Sequence, residues 1–199
     1  MIKNIIFDMG NVLLAYTPQE FIKTVTDDEE AARIVLKELF YSREWLQLDE
    51  GSITEACAVE NVSLRIPQHT ELVQKAMDNW HSDLTPIDGM PEIVTKLKNK
   101  NYRVYLLSNT SIKFFSYKDN VDMFKHFDGF VISAEEKLVK PNREIYECIC
   151  KKFALTPEEC LFIDDLQPNI DGALSAGLNA HLFKGAEELT LFLEDSDIL

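Results

Sequence analysis

Few cysteines, glycines and prolines occur in this chain, and no apolar run approaches the ~20 residues that a membrane-spanning helix needs. Cys57, Cys148, Cys150 and Cys160 contain no C-x-x-C pair. A 199-residue chain buries roughly 70% of the surface its unfolded form exposes, so it needs no disulfide framework, and a reducing compartment is expected. The opening Met1-Ile-Lys-Asn-Ile-Ile-Phe starts like a signal peptide, but Asp8 and Asn11 interrupt the apolar run and no small-residue cleavage site follows. A cytoplasmic location is the expectation. Positive charge is scarce as well: 20 basic residues stand against 34 acidic ones, a formal net charge of -14. Such a surface repels nucleic acid and anionic membranes, so neither is an expected partner. An anionic substrate then has to be held by local positive groups or by a metal, against the field of the whole molecule.

Repeats and low-complexity tracts are absent too, and what is present instead is alternation. Short apolar runs at residues 2–7, Val104 to Leu107, Phe130 to Ile132, Leu161 to Ile163 and Leu178 to Phe183 have the length and β-branched or aromatic content of buried parallel strands. Helical spacing lies between them, in Ile93, Val94 and Leu97, in Ile145, Ile149 and Phe153, and in Ile170, Leu174 and Leu178. Strand alternating with helix implies a doubly wound, mostly parallel α/β sheet with right-handed crossovers.

Residues 16–86 break the rhythm. Thr17-Pro18-Gln19-Glu20 reads as a capping box with proline at the first helical position. Apolar residues recur at Ile34, Val35, Leu39 and Phe40, then at Leu72, Val73, Ala76, Met77 and Trp80, with no convincing strand among them. Pro86 and Gly89 mark the return to the sheet. The stretch exceeds what one crossover requires, which favours an all-helical insertion over helices of the main core. The expected organisation is a core of residues 1–15 and 87–199 with a small helical cap of 16–86.

Polar residues fall where the strands end. The first strand runs into Asp8, the second into Ser108-Asn109-Thr110 and the fourth into Asp164-Asp165, while Lys140-Pro141 follows the third after a short loop. Ligands of open α/β sheets bind outside the carboxyl ends of the strands, so four separate signals converge on one edge. Any one of them alone is more often a helix cap or a turn. Three carboxylates can hold a hard cation such as magnesium through oxygen. A serine hydroxyl, backbone amides and a lysine can bind the remaining oxygens of a phosphate. A carboxylate beside a metal and a lysine stays ionised and is available as a nucleophile.

Phe7-Asp8-Met9-Gly10-Asn11-Val12, Leu107-Ser108-Asn109-Thr110, Lys140-Pro141, and Phe162-Ile163-Asp164-Asp165 with Asn169 and Gly177 resemble, in order and spacing, the four motifs of the haloacid dehalogenase (HAD) superfamily. The resemblance implies a Rossmann-like core with a cap that closes over the site, magnesium as cofactor, and a transient phospho-aspartate on Asp8. It implies a metal held by the Asp8 carboxylate, the Gly10 carbonyl and the Asp165 carboxylate, with Asp164 acting through water. Phosphate would be bound by Met9, Gly10, Ser108, Asn109 and Lys140, with Lys140 also catalytic. The substrate implied is a small phosphorylated metabolite.

One position departs from the pattern. Most family phosphatases carry a second aspartate two residues after the nucleophile as general acid and base, and here that residue is Gly10. General acid–base help contributes roughly 10²–10⁴-fold. The Asp-x-Gly-Asn-Val form resembles the glucose-1-phosphate phosphatase branch, and an anomeric leaving oxygen, being more acidic than a simple alcohol, needs an acid less. In the cap segment Trp45 and Glu50 are candidates to face a sugar, against the plainer reading of Trp45 as core and Asp49 to Ser52 as a turn. His69, His81, His126 and His181 lack metal-ligand spacing. Two other functions remain open: an L-2-haloacid dehalogenase, which shares the nucleophile but needs no metal or acid pair, and a non-catalytic phosphosugar- or partner-binding protein.

Overall fold

A computed structural model describes residues 1–199. Five parallel strands form the central sheet: β1 (Asn4–Phe7), β4 (Arg103–Ser108), β5 (Gly129–Ile132), β6 (Cys160–Asp164) and β7 (Asn179–Leu182), in the order β5-β4-β1-β6-β7. Ile6 stands opposite Tyr105 on one side and Phe162 on the other, so β1 is central.

Successive side chains of a strand point to opposite faces, and the two faces have different cover. Ile5, Phe7, Val104, Leu106, Leu161 and Ile163 pack on the face covered by α6 (Met90–Asn99) and α11 (Ala186–Asp195). Ile6, Tyr105, Leu107 and Phe162 pack on the other, against α9 (Arg143–Lys152) and α10 (Gln167–Ser175). Helices on both faces explain why the inner strands β1, β4 and β6 carry continuous buried apolar runs and do not alternate. The fold is the doubly wound one that the sequence predicts, and no helix is long and apolar enough to cross a membrane.

Between β1 and β4 lies a helical insertion: α1 (Pro18–Val25), α2 (Glu29–Val35) continuing into a π-helical turn at Leu36–Phe40, α3 (Arg43–Asp49), α4 (Glu55–Arg65) and α5 (Thr70–Asn79). The chain leaves and re-enters the core through a short antiparallel ribbon, β2 (Leu14–Ala15) against β3 (Thr85–Pro86), where Leu14 faces Pro86 and Ala15 faces Thr85. Of that pair only Thr85–Pro86 falls within residues 16–86, where the sequence shows no convincing strand; two residues are too few to show period. The capping box also does not form. Thr17 gives no side-chain cap, because Glu20 turns to Lys23 at 2.8 Å, and Pro18 alone starts the helix. The insertion has no separate core: Val35, Leu39, Val73, Met77 and Trp80 share one apolar cluster with Phe7, Met9 and Leu106 of the sheet.

Candidate active site

Asp8 sits one residue beyond β1, its backbone N–H donating to the Ile163 carbonyl at 2.9 Å, so the sheet ladder itself aims it at the carboxyl edge. Leu13 and Leu14 both donate to the Met9 carbonyl at 2.9 Å, curling residues 9–14 into a tight turn beside it. Ser108 ends β4, and Asp164 ends β6 with Asp165 next in line. The Lys140 loop reaches the same point because α10 carries glycine where it passes. A Cβ on Gly172 would stand 2.4 Å from the Pro141 carbonyl oxygen.

Lys140 is the hub of this edge. Its ammonium lies 2.8 Å from Asp8 Oδ1 and 2.6 Å from Asp164 Oδ2, with the lysine and Asp164 side chains 1% and 0% exposed. Burial by itself would lower the ammonium, but the two carboxylates outweigh it and raise it, so Lys140 stays charged. Burial is also the largest influence on Asp8 and pushes its carboxyl up to about 6, with Lys140 pulling down and Asp164 pushing up. Asp8 is thus ionised at neutral pH but closer to titrating than an exposed carboxylate. Asp165 is raised by burial and by Asp164.

Asp164 has no oxygen to spare. Besides Lys140, it accepts from the Leu166 N–H at 2.8 Å and from Asn169 Nδ2 at 2.9 and 3.0 Å. Asn169 therefore fixes Asp164, which in turn fixes Lys140. Asn109 lines the cavity, and its side chain donates to the Lys140 carbonyl and accepts from the Lys140 N–H, both at 2.9 Å, so it clasps the lysine backbone and leaves its own backbone N–H to face a phosphate. Ser108, buried at 2% exposure, has a hydroxyl without a protein partner, free to meet a ligand.

A metal fits the oxygens that remain. One carboxylate oxygen each from Asp8, Asp164 and Asp165 lie within 4.8 Å of one another. The Gly10 carbonyl accepts no hydrogen bond. An all-oxygen set in which Asp165 has no protein cation and Asp8 offers the oxygen that Lys140 does not hold suits magnesium, which binds through one or two carboxylates and keeps several waters.

These groups line a cavity of about 240 Å³ that the helical insertion roofs with Tyr16, Trp45, Asp49, Trp80 and Leu84. Trp45 is in place, its ring 4.7 Å from Phe40 and 5.5 Å from Trp80. Glu50 is not; it is exposed and outside the cavity, and Asp49 lines it instead. The helical period explains the correction. Trp45 and Asp49 are four apart on α3 and share a face, whereas Glu50 is rotated away. That spacing was available in the sequence. His181 pairs with Glu188 at 3.0 Å and His81 stacks on Tyr117, both outside the cavity lining.

The profile of haloacid dehalogenase-like hydrolases matches residues 2–177, nearly the whole chain. The chain belongs to that family. Among its relatives, the sesquiterpene phosphatase of Aspergillus oryzae is 25% identical over 177 residues, covering 88% of this chain and 87% of that protein. A HAD family enzyme of Bacteroides thetaiotaomicron, solved in complex with magnesium and inorganic phosphate, superposes with a TM-score of 0.73 at 26% identity, covering 96% of this chain and 99% of that one. The L-2-haloacid dehalogenase of Xanthobacter autotrophicus superposes at 0.69 with 19% identity over 100% of this chain and 85% of its own, a likeness of fold. The fold is thus common to an enzyme crystallised with magnesium and phosphate and to a dehalogenase, and the side chains at the strand ends of this HAD hydrolase have to decide its chemistry.

Proposed function

We propose that this hydrolase is a magnesium-dependent phosphatase of small phosphate monoesters, acting through a phospho-aspartate on Asp8, with residues 16–86 as its cap. The observation that carries the reading is the set of oxygens around the nucleophile: Asp8 stands between a buried lysine and a second acidic residue, Asp165, whose carboxylate no protein cation pairs with. Displacing halide from carbon has no use for such a metal-ready acid pair.

In this reading Asp8, the Gly10 carbonyl and Asp165 hold magnesium, which when bound offsets charge on the phosphate oxygens. Lys140 and the Ser108 hydroxyl bind the other oxygens, and the free Asp8 oxygen is aligned for in-line attack on phosphorus. Asp164 and Asn169 keep Lys140 in place, so little reorganisation accompanies the reaction.

The walls speak to the leaving group. Lys140 is the only cation in the lining, and the site's chemistry already uses it. A second phosphate or carboxylate on the substrate would find no further cation in the lining and would face the carboxylates of Asp8 and Asp165. A neutral leaving group fits, and a sugar 1-phosphate suits aromatic walls that can cover its C–H faces. The sesquiterpene phosphatase relative points to an apolar alcohol as the second candidate, equally neutral and equally matched to Trp45, Trp80, Leu84 and Leu166.

Hydrolysis of an aryl phosphate by the magnesium-loaded protein tests the reaction class. We expect turnover that excess chelator removes and that Asp8→Asn lowers by at least about 10⁴-fold, as loss of a nucleophile does in other hydrolases. Release of chloride from chloroacetate that persists in chelator would overturn the reading in favour of dehalogenation.

A further inference from the structure

Gly10 leaves the site without the acid that a leaving alkoxide needs, and the roof of the cavity holds an unused one. We propose that Asp49 is a catalytic residue of this chain, protonating the leaving oxygen and then accepting the proton of the attacking water; this rests on the phosphatase reading above.

Three structural facts place it. Asp49 lines the same cavity as Asp8, on the insertion side, where the leaving group of a phosphate held at Asp8 has to extend. Its carboxyl has no hydrogen-bond partner, whereas Asp164 is saturated and Asp8 is paired to Lys140. Its backbone is fixed to the core and does not merely hang from the insertion. Ser133 Oγ donates to the Asp49 carbonyl at 2.5 Å while accepting from the Thr110 N–H at 2.9 Å, which ties Asp49 to the loop that carries Ser108. Two residues on, the Lys137 ammonium donates to the Gly51 carbonyl. Gly51 lies in the left-handed region (φ +64), and a Cβ there would stand 2.2 Å from the Ala134 carbonyl oxygen, so only glycine allows the approach.

The charge state suits the role. Burial is the main influence on the Asp49 carboxyl and, with the charges of Asp8 and Glu50, holds it well above the ordinary range. The phenols that also feel Asp49, Tyr16 and Tyr117, are raised by burial far beyond neutral pH and make poor bases. In the first step an Asp8 oxygen bonds to phosphorus, the ester P–O bond breaks, and the leaving oxygen takes the Asp49 proton to depart as a neutral alcohol. In the second, water bonds to phosphorus, its proton passes to the Asp49 carboxylate, and the Asp8–phosphorus bond breaks. Inorganic phosphate leaves, with Asp8 ionised and Asp49 protonated as at the start.

A leaving-group comparison tests this. An aryl phosphate carries a good leaving group and needs little protonation; a primary-alkyl phosphate needs it fully. Asp49→Asn is expected to shift the alkyl-to-aryl ratio of kcat by about 10²-fold or more, within the range of general acid catalysis. It should fold, since the carboxyl it replaces has no partner to lose. Gly10→Asp placed in the Asp49→Asn background is expected to recover at least about tenfold of the alkyl rate by the same mechanism. A Cβ at Gly10 meets only Tyr16 Cβ, at 3.8 Å, so the replacement has room. An unchanged ratio in Asp49→Asn, with both esters slowed equally or not at all, would overturn the assignment, as would the absence of rescue. Wild-type protein no faster than Asp8→Asn on either ester would overturn the phosphatase reading itself, and the role of Asp49 with it.

Discussion

The two walls of the cavity are built on opposite principles. On the sheet side a network of mutually committed polar groups surrounds the few left free for a ligand: Lys140 is bound to Asp8 and Asp164, Asp164 to Asn169 and Leu166, and Asn109 to the Lys140 backbone. On the insertion side the groups are aromatic or aliphatic, with a single carboxyl that has no partner. A saturated network fixes the position of the reacting atoms. An apolar wall sets shape and excludes water, and its residues can change without disturbing the network. In the proposed reading the sheet side carries the nucleophile and the phosphate site, while the insertion carries selectivity and the Asp49 acid; the two sides are joined by the Leu14–Ala15 and Thr85–Pro86 ribbon and by the Ser133–Asp49 hydrogen bond.

If that contrast holds, damage on the sheet side is both catalytic and structural. Lys140→Met leaves Asp8 and Asp164 buried without their cation, and breaking such a group costs about 3–5 kcal/mol. We expect a loss of that size in urea denaturation, together with a fall in kcat of about 10²–10³-fold, as when one electrostatic donor is removed. Full activity in Lys140→Met would mean that the network is structural only. The metal should also report the network. A proton competes for Asp8, whose carboxyl burial pushes up to about 6. Magnesium affinity is therefore flat above that pH and weakens by about tenfold per unit below it, one proton being displaced. Calorimetric titration from pH 5 to 8 checks this, and a flat profile down to pH 5 would contradict it.

Away from Asp49, damage on the insertion side should be milder and fall on binding. Trp45→Ala removes a ring that lines the cavity and packs on Phe40 and Trp80. A rise in KM of about tenfold with kcat less affected is expected, in keeping with the 1–3 kcal/mol of a pocket contact. Glu50→Ala, at the exposed residue that caps α3, should leave both constants within about twofold, as surface changes do. Steady-state kinetics on one substrate decides both, and equal effects would erase the distinction between the cavity face of α3 and its outer face.

How much of this was legible in the sequence follows the same division. The strand ends announced themselves because Asp8, Ser108 and Asp164 each follow a short apolar run, and a parallel sheet brings such ends to one edge by topology alone. Which oxygen each group uses was not legible. That Asn109 holds Lys140 and that Asn169 holds Asp164 depends on loops meeting across 31 and 5 residues of sequence. In the insertion, helices were readable from apolar spacing, but their inner faces were not, since nothing local says which neighbour a helix packs against. Residues 49–52 read equally as a turn, and charge does not separate Asp49 from Glu50; only the four-residue step from Trp45 does. Nor does the sequence say whether the backbone demands glycine at residue 10: Gly10 is outside the left-handed region and has space for a side chain, so it does not.

The most direct test of the account is to find where the phosphoryl group goes. Magnesium-loaded protein mixed with excess aryl phosphate, quenched in acid within the first turnovers and digested, should yield one peptide heavier by a single phosphoryl group, with the modification on Asp8 and absent from Asp8→Asn protein. A phosphoryl group on another residue, or active protein in which rapid quenching finds none on Asp8 while the first turnover releases phosphate without a burst, would contradict it.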